Sequence, residues 1–233
     1  MAHRAKAQIS DTHCPRFNPL PREKLEAMGA AALSDAEVLA LLLRTGTPGR
    51  PVVAFAADIL SEVGGLRGLL TATPEVLRTI KGLGPAKQSE IAAVSEIAKR
   101  ALAERLQAKP VLQDLSDVRQ YLTLKLGHKT AEVFAVLFLN SQHHLLAMDE
   151  LFQGTLTQAT VYPREVAVAA LRHHAAAVIL AHNHPSGHLE PSAADIRLTE
   201  TLTQALLLVD VRVLDHLIVT QNDVYSMAAH GLI

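Results

Sequence analysis

Apolar positions recur at two different periods along this chain, and the change falls near its middle. From Arg22 the spacing is helical. Leu33-Ser34-Asp35 offers an N-cap, after which Val38, Leu39, Leu41, Leu42 and Leu43 form an apolar stripe. The segment TGTPGRP at 45–51 interrupts it, Val52 to Val63 reads as a second helix, and Gly64-Gly65 ends that one. Short helical patterns at 66–72 and 74–80 lead into IKGLGPAK at 80–87 and a long helix from Pro85 to Leu106. Residues 1–22, rich in Pro and basic side chains, are expected to form a loosely held arm.

Beyond ERLQAKPVLQD at 104–114, which reads as a linker, the pattern alternates. Leu115 to Leu126 reads as a helix, and Glu132 to Leu139 as an apolar strand. A turn at Asn140 to His143 and a second strand, Leu145 to Phe152, follow. Pro163 to His174 is expected to be helical, Ala176 to Ala181 a short buried strand, and Ser192 to Val209 a helix. Val211 to Leu214 and Leu217 to Thr220 offer two further short strands. These elements predict an α/β (α+β) protein, an all-α region over 1–108 followed by a mixed-sheet domain over 111–233.

Composition narrows the classes. Of the 233 residues, 49% are hydrophobic and 19% charged, enough for a real core. Aromatics are 3% with no Trp, which argues against a single-strand nucleic-acid reader built on stacking. Cys14 is the only cysteine, so neither a disulfide framework nor a thiolate zinc cluster is expected. With no signal-like N-terminus and no long apolar run, a cytoplasmic protein without a membrane span is expected. The net charge of −1 conceals an asymmetry. Residues 1–110 carry 15 Lys+Arg against 11 Asp+Glu, and residues 111–233 carry 7 against 12 with ten of the twelve histidines.

The chemistry concentrates in AHNHPSGHLEPSAAD at 181–195. His182 and His184, two apart at a strand end, point the same way in extended chain and reach one ion. Pro185-Ser186-Gly187 turns the chain, and the helix opened by Ser192 returns Asp195 to the same point. Two His and one Asp with an open fourth position match a catalytic zinc site, one ion per chain. Ser192-x-x-Asp195 is also a capping pattern, and by itself would be read as one.

This arrangement resembles the JAMM motif of MPN+ metalloproteases and isopeptidases. Together with the Gly-x-Gly hairpin of the helical half, GTLTQATVYPREV and DHLIV, it is similar to the bacterial RadC-like family over nearly the whole chain. The resemblance implies a mixed sheet akin to the cytidine-deaminase fold and a zinc-dependent hydrolase acting on amide or isopeptide bonds. His182, His184 and Asp195 would be its zinc ligands. Ser192 would donate a hydrogen bond to the metal-bound water or the tetrahedral intermediate. The motif also requires an upstream glutamate as general base. Glu132, Glu150 and Glu165 are the candidates. Glu132 is preferred, because it begins the first strand of the domain, where JAMM enzymes place this residue, and because the macrodipole alone accounts for Glu165.

Other features admit plainer readings. His182-Asn183-His184 is too compact for an HNH nuclease, and a zinc deaminase would need a Cys-x-x-Cys after Cys14. Asp215-His216 could orient a ligand or be structural. His143-His144 and His173-His174 are expected at the surface. Gly82-Leu83-Gly84 between helices resembles a helix-hairpin-helix, with Lys81 and Lys87 suited to a phosphate, so weak DNA contact or protein packing are both open. The alternative function is therefore a DNA-repair accessory whose helical half binds DNA or protein.

Overall fold

A computed structural model describes residues 19–154 and 161–233. Most of the expected N-terminal arm, and the 155–160 part of GTLTQATVYPREV, lie outside the described residues. The chain divides into two compact units, one ending at Asp58 and the other running Ile59–Ile233.

The first unit holds α1 (Pro21–Met28), α2 (Asp35–Leu43) and the start of α3 (Val52–Val63). Pro21 and Arg22 thus belong to a helix, not to the arm. At the start of α2 the Ser34 hydroxyl accepts the Glu37 N–H at 3.3 Å, and the Glu37 carboxylate accepts the Ser34 N–H at 2.8 Å. This capping box satisfies donors that a helix start leaves open. Of the expected stripe only Leu39 and Leu43 are buried on α2, with Ala40 beside them, because spacings of one and four select a single face; Val38 and Leu42 stay exposed.

The second unit is helical up to residue 126: α4 (Gly65–Thr71), α5 (Pro74–Thr79), α6 (Pro85–Ala108) and α7 (Leu115–Leu126). Then come β1 (Val133–Leu139), β2 (Leu145–Gln153), α8 (Pro163–Arg172), β3 (Ala177–Asn183), α9 (Ala193–Leu207), β4 (Arg212–Val219) and β5 (Val224–Ser226). The strands form one mixed sheet in the order β2-β1-β3-β4-β5, with β3 and β4 parallel and the other neighbours antiparallel. Every residue of β1 and β3 is buried, as continuous apolar runs covered on both faces should be.

The two faces have separate cores. On one, Ala135, Leu137, Ile179 and Leu217 pack with Val118, Leu122 and Leu126 of α7 and Leu106 of α6. On the other, Phe134, Val136, Phe138 and Leu180 pack with Val166 and Ala170 of α8 and Leu202 and Leu206 of α9. The polar stretch at 104–114 therefore joins elements of one unit, with Leu106 and Val111 buried in the same core.

One expectation needs correction, and one strand was not expected. The strands expected at 211–214 and 217–220 are one strand, β4, which runs through Asp215 and His216 because both are buried with hydrogen-bond partners. The last strand, β5, is too short to leave a periodic signal. Among the described residues no helix is long and apolar enough to cross a membrane.

Candidate metal centre

Strand alternation puts His182 on the face covered by α9, beside Phe134 of β1, with ring centroids 6.4 Å apart. Along α9 the buried residues are Asp195, Thr199, Leu202 and Leu206, a single stripe at helical spacing. Its two leucines enter the core. Its two polar members face the histidines, so the periodicity that seats the helix also delivers the carboxylate.

The turn after β3 is closed by the Gly187 N–H donating to the His184 carbonyl at 3.0 Å. Gly187 has φ +78°, a conformation that L side chains rarely adopt. The turn brings the His188 carbonyl back to His184 Nδ1 at 2.7 Å. A carbonyl only accepts, so Nδ1 carries the proton and Nε2 is left to the cluster.

His182 Nε2 and His184 Nε2 lie 2.9 Å apart. Asp195 Oδ1 is 3.3 Å from the first and Oδ2 is 3.7 Å from the second. One donor atom from each of Glu132, His182, His184 and Asp195 can be chosen so that all lie within 4.8 Å of one another. Two imidazoles and carboxylate oxygens are a donor set that suits zinc. The residues present fit a metal ion.

Electrostatics follow the same geometry. Burial pushes the His182 imidazole down to about 4. Asp195 holds His184 above its ordinary value through their side-chain interaction, against burial. Burial alone would raise the Asp195 carboxyl, but His184, His182 and Ser192 hold it well below the usual carboxylate range. Burial, then repulsion from Asp195, raises Glu132.

Capping and a place in the cluster coexist at Asp195. Its Oδ2 accepts the Ser192 N–H at 2.7 Å, while its N–H donates to Ser192 Oγ at 3.2 Å. The hydroxyl of Ser192 accepts there, which leaves its own proton to donate. The other glutamates point elsewhere. Glu150 pairs with Lys129 at 2.8 Å, and Glu165 lies exposed beside Arg164 at 3.1 Å.

Two contributors escape a sequence reading. Asn183, between the histidines, accepts the Val133 N–H at 2.8 Å and donates to the carbonyls of Lys129 at 3.1 Å and Ala131 at 3.0 Å. It ties down the backbone on both sides of Glu132. Thr199 bridges α9 and β4, with Oγ1 2.6 Å from both the Asp195 carbonyl and His216 Nδ1. His216 in turn lies 2.8 Å behind His182. Asp215 does something separate: it accepts from the Ser226 hydroxyl and from the backbone of His216 and Ala228, closing the C-terminal turn.

Of the histidines expected at the surface, only His174 is exposed. His173 stacks on Phe138 at 4.6 Å and binds Asp149 at 2.7 Å, while His143 and His144 are half-buried. In the helical half, Gly82-Leu83-Gly84 does form the turn between α5 and α6. Gly82 has φ +87° and Leu83 is buried; Gly84 caps α6, and Lys81 is exposed. Lys87 lies in the first turn of α6. A cleft of about 710 Å³ opens beside His184, bounded by Ser186, His128, Asp223, Glu62 and Val76.

Comparison with known proteins shows the family. Residues 112–232 match the family model described as RadC-like JAB domain, and residues 18–89 match the one described as UPF0758 N-terminal. A UPF0758 protein from a Polaromonas species is 59% identical over 213 residues, covering 91% of this chain and 95% of the relative. Those of Variovorax paradoxus and Leptothrix cholodnii are 58% and 57% identical, each over 91% of this chain and 95% and 96% of their own.

Proposed function

The chain belongs to the RadC-like JAB domain family, and on that premise we propose that it is a zinc-dependent hydrolase of amide bonds, a metallopeptidase or isopeptidase. One observation carries this reading: donor atoms of Glu132, His182, His184 and Asp195 converge within 4.8 Å at the end of a buried strand. His182, His184 and Asp195 hold the ion. When bound, zinc supplies a Lewis acid and a water whose pKa falls to ~7.

The remaining chemistry belongs to the protein. Glu132 takes a proton from the attacking water and passes it to the leaving amine. Its raised proton affinity favours that exchange, since one carboxyl must serve as base and then as acid. Ser192 donates to the oxygen that gains charge as the carbonyl is attacked. The cleft beside His184 admits the substrate chain.

Elemental analysis of the purified full-length chain should find about one zinc per chain, lost in His182→Ala and in Asp195→Ala. The zinc-loaded protein should cleave members of a synthetic library of peptides and isopeptide-linked peptides, read by mass spectrometry. Glu132→Gln should keep the zinc while cleavage falls by about 10²–10⁴-fold, the usual share of general acid–base catalysis. Equal zinc in the wild type and a His182→Ala/Asp195→Ala double variant would overturn the metal centre. Undiminished cleavage by Glu132→Gln would overturn the role given to that residue.

A further inference from the structure

A fully buried row of hydrogen bonds runs behind the cluster, away from the cleft. His182 Nδ1 lies 2.8 Å from His216 Nε2, and His216 Nδ1 lies 2.6 Å from Thr199 Oγ1. Thr199 Oγ1 also lies 2.6 Å from the Asp195 main-chain carbonyl. His216 has no exposed surface, and Thr199 has almost none.

The proton order in this row follows from its far end. The Asp195 carbonyl has no proton to give, and two oxygens at that separation repel unless a proton lies between them. The Thr199 hydroxyl therefore donates to the carbonyl and presents a lone pair to His216. His216 must then carry its proton on Nδ1, which leaves Nε2 as an acceptor. Facing that acceptor, His182 carries its proton on Nδ1. Its Nε2 lone pair is thereby left toward His184 and Asp195.

We propose that His216, oriented by Thr199, is a positioning residue that locks His182 in the one tautomer able to bind the metal. This rests on the reading of the cluster as a metal centre. The lock is asymmetric. His184 takes its tautomer from a carbonyl in its own turn, whereas His182 depends on a neighbouring strand and on the helix that also supplies Asp195. The hydroxyl that sets the tautomer is bonded to the backbone of the third ligand, so α9 must be seated before His182 is ready. Ligands of this kind are oriented by such outer partners, whose loss weakens metal binding about 10–100-fold.

The test compares His216→Leu, His216→Gln and Thr199→Val with the wild type, all full-length. Zinc affinity is measured by competition with a chromophoric chelator, and histidine tautomers by ring ¹⁵N chemical shifts of the zinc-free protein. Wild-type His182 should be in the Nδ1–H form. His216→Leu, which removes the acceptor, should weaken zinc binding by about 10–100-fold. His216→Gln can place an amide oxygen near the lost ring nitrogen and should stay near wild type. Thr199→Val keeps the shape and removes the hydroxyl, so it should release the tautomer preference and weaken zinc even if His216→Leu fails to fold. Wild-type affinity in both His216→Leu and Thr199→Val would overturn the proposal, as would equal losses in His216→Leu and His216→Gln. Should the wild type bind no zinc, the metal-centre reading falls. The ring shifts still decide the tautomer, and His182 in the Nε2–H form would overturn the lock.

Discussion

Asn183 shows how much a single side chain contributes between the two histidines. Alternation turns it away from them, and its three hydrogen bonds hold residues 129–133, the segment that carries Glu132. Asn183→Ala would strand the buried Val133 N–H, at a cost of about 1–3 kcal/mol for that group alone. Urea midpoints should show the loss, zinc content should stay at the wild-type level, and peptide cleavage should fall because Glu132, the proposed base, is no longer held. Unchanged cleavage would detach Asn183 from the base. His182, His184 and Asp195 are legible in the sequence because one strand, one turn and one helix start bring them together locally. The roles of Asn183 and Thr199 are not, and for Asp215-His216 the sequence leaves orienting a ligand and a structural role both open. Each depends on which strand pairs with which, and Asn183 meets Val133 fifty positions away. Glu132 is intermediate: its place before an apolar strand is visible, but its approach to Asp195 is set by the pairing of β1 with β3.

At the scale of elements, helix signals carry further than strand signals. Val52 to Val63 is helical to the residue, because a glycine pair ends it and a proline precedes it. Within β4, Asp215 and His216 look like a break, since polar pairs normally end apolar strands; here each is buried with partners supplied by other elements. Capping is equally local, and α2 gives it a pH dependence. The Lys24 ammonium, 2.8 Å away, and then the Ser34 backbone hold the Glu37 carboxyl down at about 2. Its folded value lies below its ordinary 4.5, so the contribution is present above that pH and is lost as the pH falls toward 2. Wild type and Glu37→Gln should therefore differ most in urea midpoint above pH 4.5 and converge as the pH falls toward 2. A constant gap across that window would mean that the box and the Lys24 pair do not contribute.

For the molecule as a whole, the open question in the sequence is which core each helix serves. Periodicity places Leu102 and Leu106 on one face of α6, but it cannot say what that face meets. A polar stretch such as 104–114 then reads as a boundary. In the structure Leu106 is buried in the sheet's core together with Val111, Leu122 and Leu137, and Leu102 packs against it. Arg105 reaches Asp117 of α7 at 3.0 Å, a carboxylate whose side chain is only 9% exposed. The Val111 N–H donates to the His143 carbonyl at 2.8 Å, so the stretch is tied to the β1–β2 turn as well. A fragment of residues 111–233 would hold every candidate metal ligand but lose the α6 contribution to its core. Uncovering the seat of Leu106 alone should cost about 1.5–3 kcal/mol, the value of burying one such side chain, before the loss of the Asp117 partner. A fragment of residues 59–233 keeps both. Urea unfolding of the two should therefore give a clearly lower midpoint for 111–233, with zinc binding weakened only as far as that fragment is unfolded. Equal midpoints would show that the sheet and its candidate metal centre stand without α6, and that the polar stretch is a true boundary.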